Sequence, residues 1–110
     1  MAPIIEQHLA DIRTLSQSFG VARLEVFGSV CTAEFDPDRS DIDFLVEYPL
    51  GYDFGPWLAR IQELEAALGE LLGSKVDLVT TTALRNTWFR REAEKTRMVL
   101  YDASEVADVA

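Results

Sequence analysis

Residues 28–47 read GSVCTAEFDPDRSDIDFLVE, and the fold turns on the two ends of this stretch. Gly28-Ser29 closes one apolar segment. Asp41 and Asp43 open the next, whose other members are Ile42, Phe44, Leu45 and Val46. On a β-strand, residues two apart project from the same face. Asp41 and Asp43 are therefore expected side by side, with Ile42, Phe44 and Val46 directed into a core. Two carboxylates this close repel each other unless a cation lies between them. Hard oxygen donors of this kind select Mg²⁺ or Ca²⁺ over softer metals.

Upstream, residues 21–27 (VARLEVF) alternate: Ala22, Leu24 and Val26 share one face, Arg23, Glu25 and Phe27 the other. This pattern predicts a strand ending at Gly28-Ser29. A glycine there lets the backbone turn tightly and approach a ligand. The N–H groups that follow can cradle a phosphate, and Ser29 adds a hydroxyl. Downstream, Pro37 marks residues 34–40 as a loop, and the second strand runs from Asp41 to Tyr48. After turn-forming residues 49–55, Pro56 opens a helix with Leu58, Ile61, Leu64, Leu68, Leu71 and Leu72 on one side, closed by Gly73. Residues 75–80 (KVDLVT) predict a third strand, with Val76 and Leu78 on one face and Lys75 and Asp77 on the other.

At the ends of the chain, Ile4, Ile5, Leu9, Ile12, Leu15 and Phe19 predict one amphipathic helix over 3–19, with His8 off the stripe and solvated. A helix over roughly 83–96, capped by Thr80, Thr81 or Thr82, precedes a last strand at 98–101 and a frayed tail. The expectation is an α/β fold: a small mixed sheet with helices on one side, residues 1–110 forming a single domain.

Composition narrows the partners. The 110 residues carry a formal net charge of −9, which speaks against non-specific binding to nucleic-acid backbones. One cysteine permits no intrachain disulfide, and Cys31 reads as a small buried residue. No apolar run approaches the roughly 18 residues of a membrane span. A cytoplasmic protein without direct nucleic-acid or membrane contact is expected.

Asp41, Asp43 and Asp77 converge if the second and third strands are neighbours. Three carboxylates beside a phosphate cradle suit phosphoryl or nucleotidyl transfer, in which acid-held metal ions clamp a triphosphate. Asp77 can also take the proton of an incoming hydroxyl. A lone D-x-D is usually a solvated edge or a capping pair; the Gly-Ser turn and the third acid shift the reading towards a site. Ser40 reads as a turn cap or a nucleotide contact, and Lys75 as solvated. A calcium loop over Asp36–Glu47 fits poorly, because its sixth position is Asp41 where that loop needs glycine.

The order strand, Gly-Ser, loop, Ser-Asp-x-Asp, strand, helix, strand with Asp resembles the nucleotidyltransferase superfamily, through VFGS (26–29), SDIDFLVE (40–47) and KVDLV (75–79). At this length it looks like a minimal nucleotidyltransferase, the antitoxin of a pair with a helical HEPN-type ribonuclease toxin. The resemblance implies metal and catalytic roles for Asp41, Asp43 and Asp77, and triphosphate contacts for Gly28 and Ser29. It implies Mg²⁺-dependent transfer of AMP from ATP to a hydroxyl of the toxin, typically a tyrosine. Many relatives read Gly-Ser-Arg-Ala-Arg-Gly here. This chain has Val30, Thr32 and Ala33 in place of the two arginines and the second glycine. Two charge-assisted phosphate contacts are thereby removed. A scaffold that neutralises a toxin by occlusion alone, and transfer to a small molecule such as an aminoglycoside, are the other readings. The second normally needs a further domain. A domain this small has little left for an acceptor pocket, so a partner should present the acceptor. Trp57, Trp88 and Phe89 are candidate anchors, with Trp88 also readable as core.

Overall fold

The computed structural model describes residues 2–32, 35–36, 41–48 and 54–107; at 54–58, 82–83 and 106–107 it describes the backbone alone. The elements run α1 (Pro3–Gln7), α2 (Leu9–Phe19), β1 (Arg23–Phe27), a 3₁₀ turn (Gly28–Cys31), β2 (Ile42–Glu47) and α3 (Phe54–Leu72). After these come β3 (Val76–Thr80), a second 3₁₀ turn (Thr81–Arg85), α4 (Thr87–Glu94), β4 (Met98–Asp102) and α5 (Ala103–Ala107).

The four strands form one mixed sheet in the order β3-β2-β1-β4. β1 is antiparallel to β2 and β4, whereas β2 and β3 are parallel. Parallel neighbours need a long crossover, and α3 supplies it. The expected alternation holds on β2: Ile42, Phe44 and Val46 are fully buried and join Leu24 and Val26 of β1 in the core. Leu64, Leu68 and Leu72 of α3, at four-residue spacing, and Ile5 and Ile12 of the N-terminal helices close over that face. On β4 the register slips between Leu24 and Glu25, so that Leu24 faces Tyr101 and Glu25 faces Val99. The consecutive residues Leu100 and Tyr101 are both buried as a result.

A helix side chain reaches the backbone of each edge strand. Glu65 of α3 accepts the Leu78 N–H at 3.1 Å on β3, and Arg13 Nε of α2 donates to the Leu100 carbonyl at 2.9 Å on β4. Each contact removes an outward-facing backbone group that could pair with another chain.

Several boundaries differ from the sequence expectation. The N-terminal helix is two helices: the backbone leaves helical geometry at His8 (φ −110°, ψ 11°), whose half-buried ring Nδ1 lies 2.9 Å from the Ile4 carbonyl oxygen. The helix expected over 83–96 begins only at Thr87, after the second 3₁₀ turn. Its cap is Asn86, whose Oδ1 accepts the Phe89 N–H at 3.0 Å, and not Thr80, Thr81 or Thr82. α3 starts two residues before Pro56. The expected frayed tail opens with a short helix, held where Asp102 accepts both the N–H and the hydroxyl of Ser104. α4 departs from a one-sided arrangement, because Phe89 packs edge-on against Phe27, on the face of β1 opposite Leu24 and Val26 (centroids 5.5 Å apart). Trp88 is not core: it is 71% exposed. The calcium-loop window falls away, since its second half is strand β2. Among the described residues, no helix is long and apolar enough to cross a membrane.

Candidate active site

The strand register decides which acids meet. Ile42 pairs with Val76 across β2–β3, and Asp43 therefore stands directly opposite Asp77. Both belong to the sheet face away from the main core, and Asp77 is exposed. Asp41 lies just before β2, beside Lys75, and its Oδ2 is 3.6 Å from Lys75 Nζ. The sequence thus brings Asp43 and Asp77 together, with Asp41 at the rim leaning towards a lysine.

Asp43 shows the electrostatic consequence. Its carboxyl is pushed up to about 6, first by burial, then by the negative charges of Asp77 and Asp41. No ion pair among the described residues reaches Asp43 or Asp77. As the side chains lie, no three acids, histidines or cysteines among the described residues form a ready-made metal cage. The donor set still suits a hard divalent cation: carboxylates on adjacent strands whose mutual repulsion a bound cation would relieve. Asp43 and Asp77 would hold it, with Asp41 joining by releasing Lys75.

The Gly-Ser turn sits against this pair. Gly28 has φ +83°, where side chains are disfavoured, and a Cβ built on it would fall 2.7 Å from Asp43 Oδ2. Its N–H is engaged by the Thr96 hydroxyl at 2.8 Å. Gly28 therefore serves here by giving room to a carboxylate, and its own amide points at a side chain. The turn is built on Val30, fully buried, whose carbonyl accepts the Ala2 N–H at 2.8 Å. The Ser29 carbonyl accepts from the N–H and hydroxyl of Thr32, at 2.9 and 2.8 Å. Half-buried Cys31 packs against the core, and burial pushes its thiol up. Ser40 and Ala33 lie outside the described residues, as does the side chain of Trp57.

Two contributors were not read from the sequence as part of this region. Glu25 is 3% exposed although its position in the alternation reads as polar and solvated; it takes a bidentate pair from Arg97 at 3.0 and 2.7 Å. Thr96 reaches Gly28 from 68 positions away. A threonine in a helix-ending turn carries no local signal of such a contact.

Residues 5–101 match the model of the nucleotidyltransferase domain. The chain belongs to the nucleotidyltransferase family. A Methanocaldococcus jannaschii protein named as a protein adenylyltransferase is 36% identical over 83 residues, covering 76% of this chain and 80% of that protein. The protein adenylyltransferase MntA of Thermococcus cleftensis is 37% identical over 83 residues, covering 76% of each. A solved minimal nucleotidyltransferase superposes with a TM-score of 0.69 at 27% identity, covering 89% of this chain and 95% of the other. The MNT antitoxin complex with the tri-AMPylated HEPN toxin of Shewanella oneidensis shares the fold, with a TM-score of 0.59 at 22% identity over 94% and 77% of the two chains. This nucleotidyltransferase thus has the small mixed sheet and helices of its minimal relatives, and its paired strand acids fall within the matched region.

Proposed function

We propose that this nucleotidyltransferase is an Mg²⁺-dependent protein adenylyltransferase and an antitoxin. It transfers AMP from ATP to a hydroxyl, a tyrosine, of a partner HEPN-type ribonuclease toxin, and so silences it. Residues 1–110 act as one minimal transferase domain. ATP as donor puts the reaction in the cytoplasm. The observation that carries this reading is the register pairing of Asp43 with Asp77 beside a glycine that leaves room for the Asp43 carboxylate. The names of the MntA relative and of the HEPN–MNT complex support the choice of acceptor.

In this mechanism the acceptor oxygen attacks the α-phosphorus of ATP. The new O–P bond forms as the bond to the β-phosphate oxygen breaks, and pyrophosphate leaves. Bound Mg²⁺ supplies charge neutralisation of the phosphates and the leaving group. Asp43 and Asp77 would hold it, with Asp41 joining by releasing Lys75. Asp77, the exposed member of the pair, takes the acceptor proton. Ser29 and Ser40 supply hydroxyls to the phosphates, and the amides after Gly28 face the same anion.

A second reading is neutralisation by occlusion with little catalysis. It is favoured by Val30, a fully buried core residue at the position where many relatives place a phosphate-binding arginine. Intact-mass measurement decides between them. The chain, its partner toxin, ATP and Mg²⁺ should yield AMP increments on the toxin, lost in the Asp41→Asn, Asp43→Asn double variant. An unmodified toxin, neutralised equally well by the double variant, selects occlusion.

A further inference from the structure

We propose that Thr96 is a positioning residue for the Gly-Ser turn, setting the nucleotide-binding form of Gly28 and Ser29 from the far end of α4. The inference rests on the nucleotidyl-transfer reading of that turn and adds to it a residue outside every motif of the chain.

The Thr96 hydroxyl accepts the Gly28 N–H at 2.8 Å, while the other side of Gly28 faces the Asp43 carboxylate. One glycine is therefore held between a hydroxyl and a proposed metal ligand. Gly28 holds φ +83° with its amide donating to Thr96, so this bond fixes the orientation of the peptide that opens the turn. Thr96 is itself fixed on both sides. Its own N–H and that of Arg97 both donate to the carbonyl of buried Ala93, at 3.1 and 2.8 Å. The Arg97 guanidinium then grips Glu25 of β1 with two hydrogen bonds. About two turns before Thr96, Phe89 packs on Phe27, the residue immediately before Gly28. The turn after α4 is thus a bracket tied to the sheet, and it meets the Gly28 amide through the Thr96 hydroxyl. A hydroxyl that accepts here keeps its own proton available, so the bracket also offers a donor beside the phosphate position.

Thr96→Val keeps the shape and removes the acceptor; Thr96→Ser keeps the acceptor. In ¹⁵N-correlated spectra without nucleotide, Thr96→Val should shift the Gly28 and Ser29 amide signals and speed Gly28 amide exchange about tenfold, the worth of one net hydrogen bond. Thr96→Ser should leave both near wild type. In titrations with the non-hydrolysable analogue AMP-PNP and Mg²⁺, Thr96→Val should weaken binding about tenfold and Thr96→Ser less than about twofold. Unmoved Gly28 and Ser29 signals in Thr96→Val, or AMP-PNP affinity equal in all three chains, overturns the inference. A wild-type chain that binds no AMP-PNP overturns the proposed function instead, because the amide signals report the hold of Thr96 on the turn without nucleotide.

Discussion

The carboxylate of Asp43 occupies the space that a side chain on Gly28 would need, 2.7 Å from where its Cβ would sit. Gly28 also holds φ +83°, so any replacement meets two penalties at once. Gly28→Ala must shift the backbone of the turn or push Asp43 aside. The expected cost is about 1–3 kcal/mol of stability, the range for a non-glycine residue forced into such a conformation. Urea unfolding measures it. Mg²⁺ binding should fall as well, since Asp43 is displaced; a variant with wild-type stability and metal affinity would show that the turn is looser than this packing implies.

The elevated carboxyl of Asp43 sets a pH dependence. An acid with a folded value of about 6 binds its proton more tightly in the folded chain than in the unfolded one. Its contribution to stability is complete below the ordinary carboxylate range and is lost as pH rises through about 6. Asp43→Asn removes that loss. Half-burial screens the effect to about 1 kcal/mol, so without metal at pH about 8 the variant should melt about 4 °C above wild type. The gap should close near pH 4. Mg²⁺ at millimolar levels should raise the melting point of wild type at the higher pH and leave the variant unmoved. Parallel melting curves across this pH range would mean that Asp43 feels neither burial nor its acidic neighbours.

The meeting of Asp43 and Asp77 was legible because β-strand geometry is a strict two-residue repeat. Asp41, Asp43 and Asp77 each stand out of phase with apolar neighbours, and a parallel β2–β3 pair is the natural product of a strand, helix, strand order. What that repeat cannot reveal is a buried exception. Glu25 falls on the polar phase of β1, and only the fold shows that Arg97 comes from the end of α4 to neutralise it. The break at His8 was hidden for a similar reason: Ile5 and Ile12 stay buried on either side of it, so the apolar stripe runs on across the interruption. Trp88 misled in the other direction, because helical spacing from Leu84 pairs it with apolar residues while its ring lies in solvent.

The Glu25–Arg97 pair fastens the turn after α4 to the centre of the sheet. Removing Arg97 would leave a carboxylate that is 3% exposed without its bidentate partner; Arg23 approaches no closer than 3.9 Å. Arg97→Ala should cost about 2–3 kcal/mol, somewhat below the range for a fully buried pair because the arginine is partly solvated. Glu25→Gln with Arg97→Ala should recover part of this loss, since no buried charge is then stranded. Chemical denaturation of the two single variants and the double gives the coupling directly. Additive losses would mean that the two residues act independently.

Trp88 is the remaining outlier: an indole that is 71% exposed on a helix whose other outward residues include Arg91, with Lys95 exposed at its C-cap. Among the 13 residues from 85 to 97, five of the chain's ten basic residues meet two of its nineteen acidic ones, so this stretch is basic on an acidic protein. α4 also adjoins the face that carries the paired acids, since Phe89 packs on Phe27, which pairs with Asp43 across β1–β2. A partner docked on α4 through Trp88 would thus bring its acceptor hydroxyl near the paired acids. Trp88→Ala should leave stability within about 0.5 kcal/mol of wild type, as a surface substitution. It should weaken the complex with the proposed toxin partner by about 2 kcal/mol or more, the behaviour of an aromatic anchor. AMP-PNP affinity should not change. Calorimetry with the toxin and with the nucleotide analogue separates the two effects. Equal toxin affinity in both chains would move the docking surface away from α4, and a large drop in melting temperature would make Trp88 a structural residue.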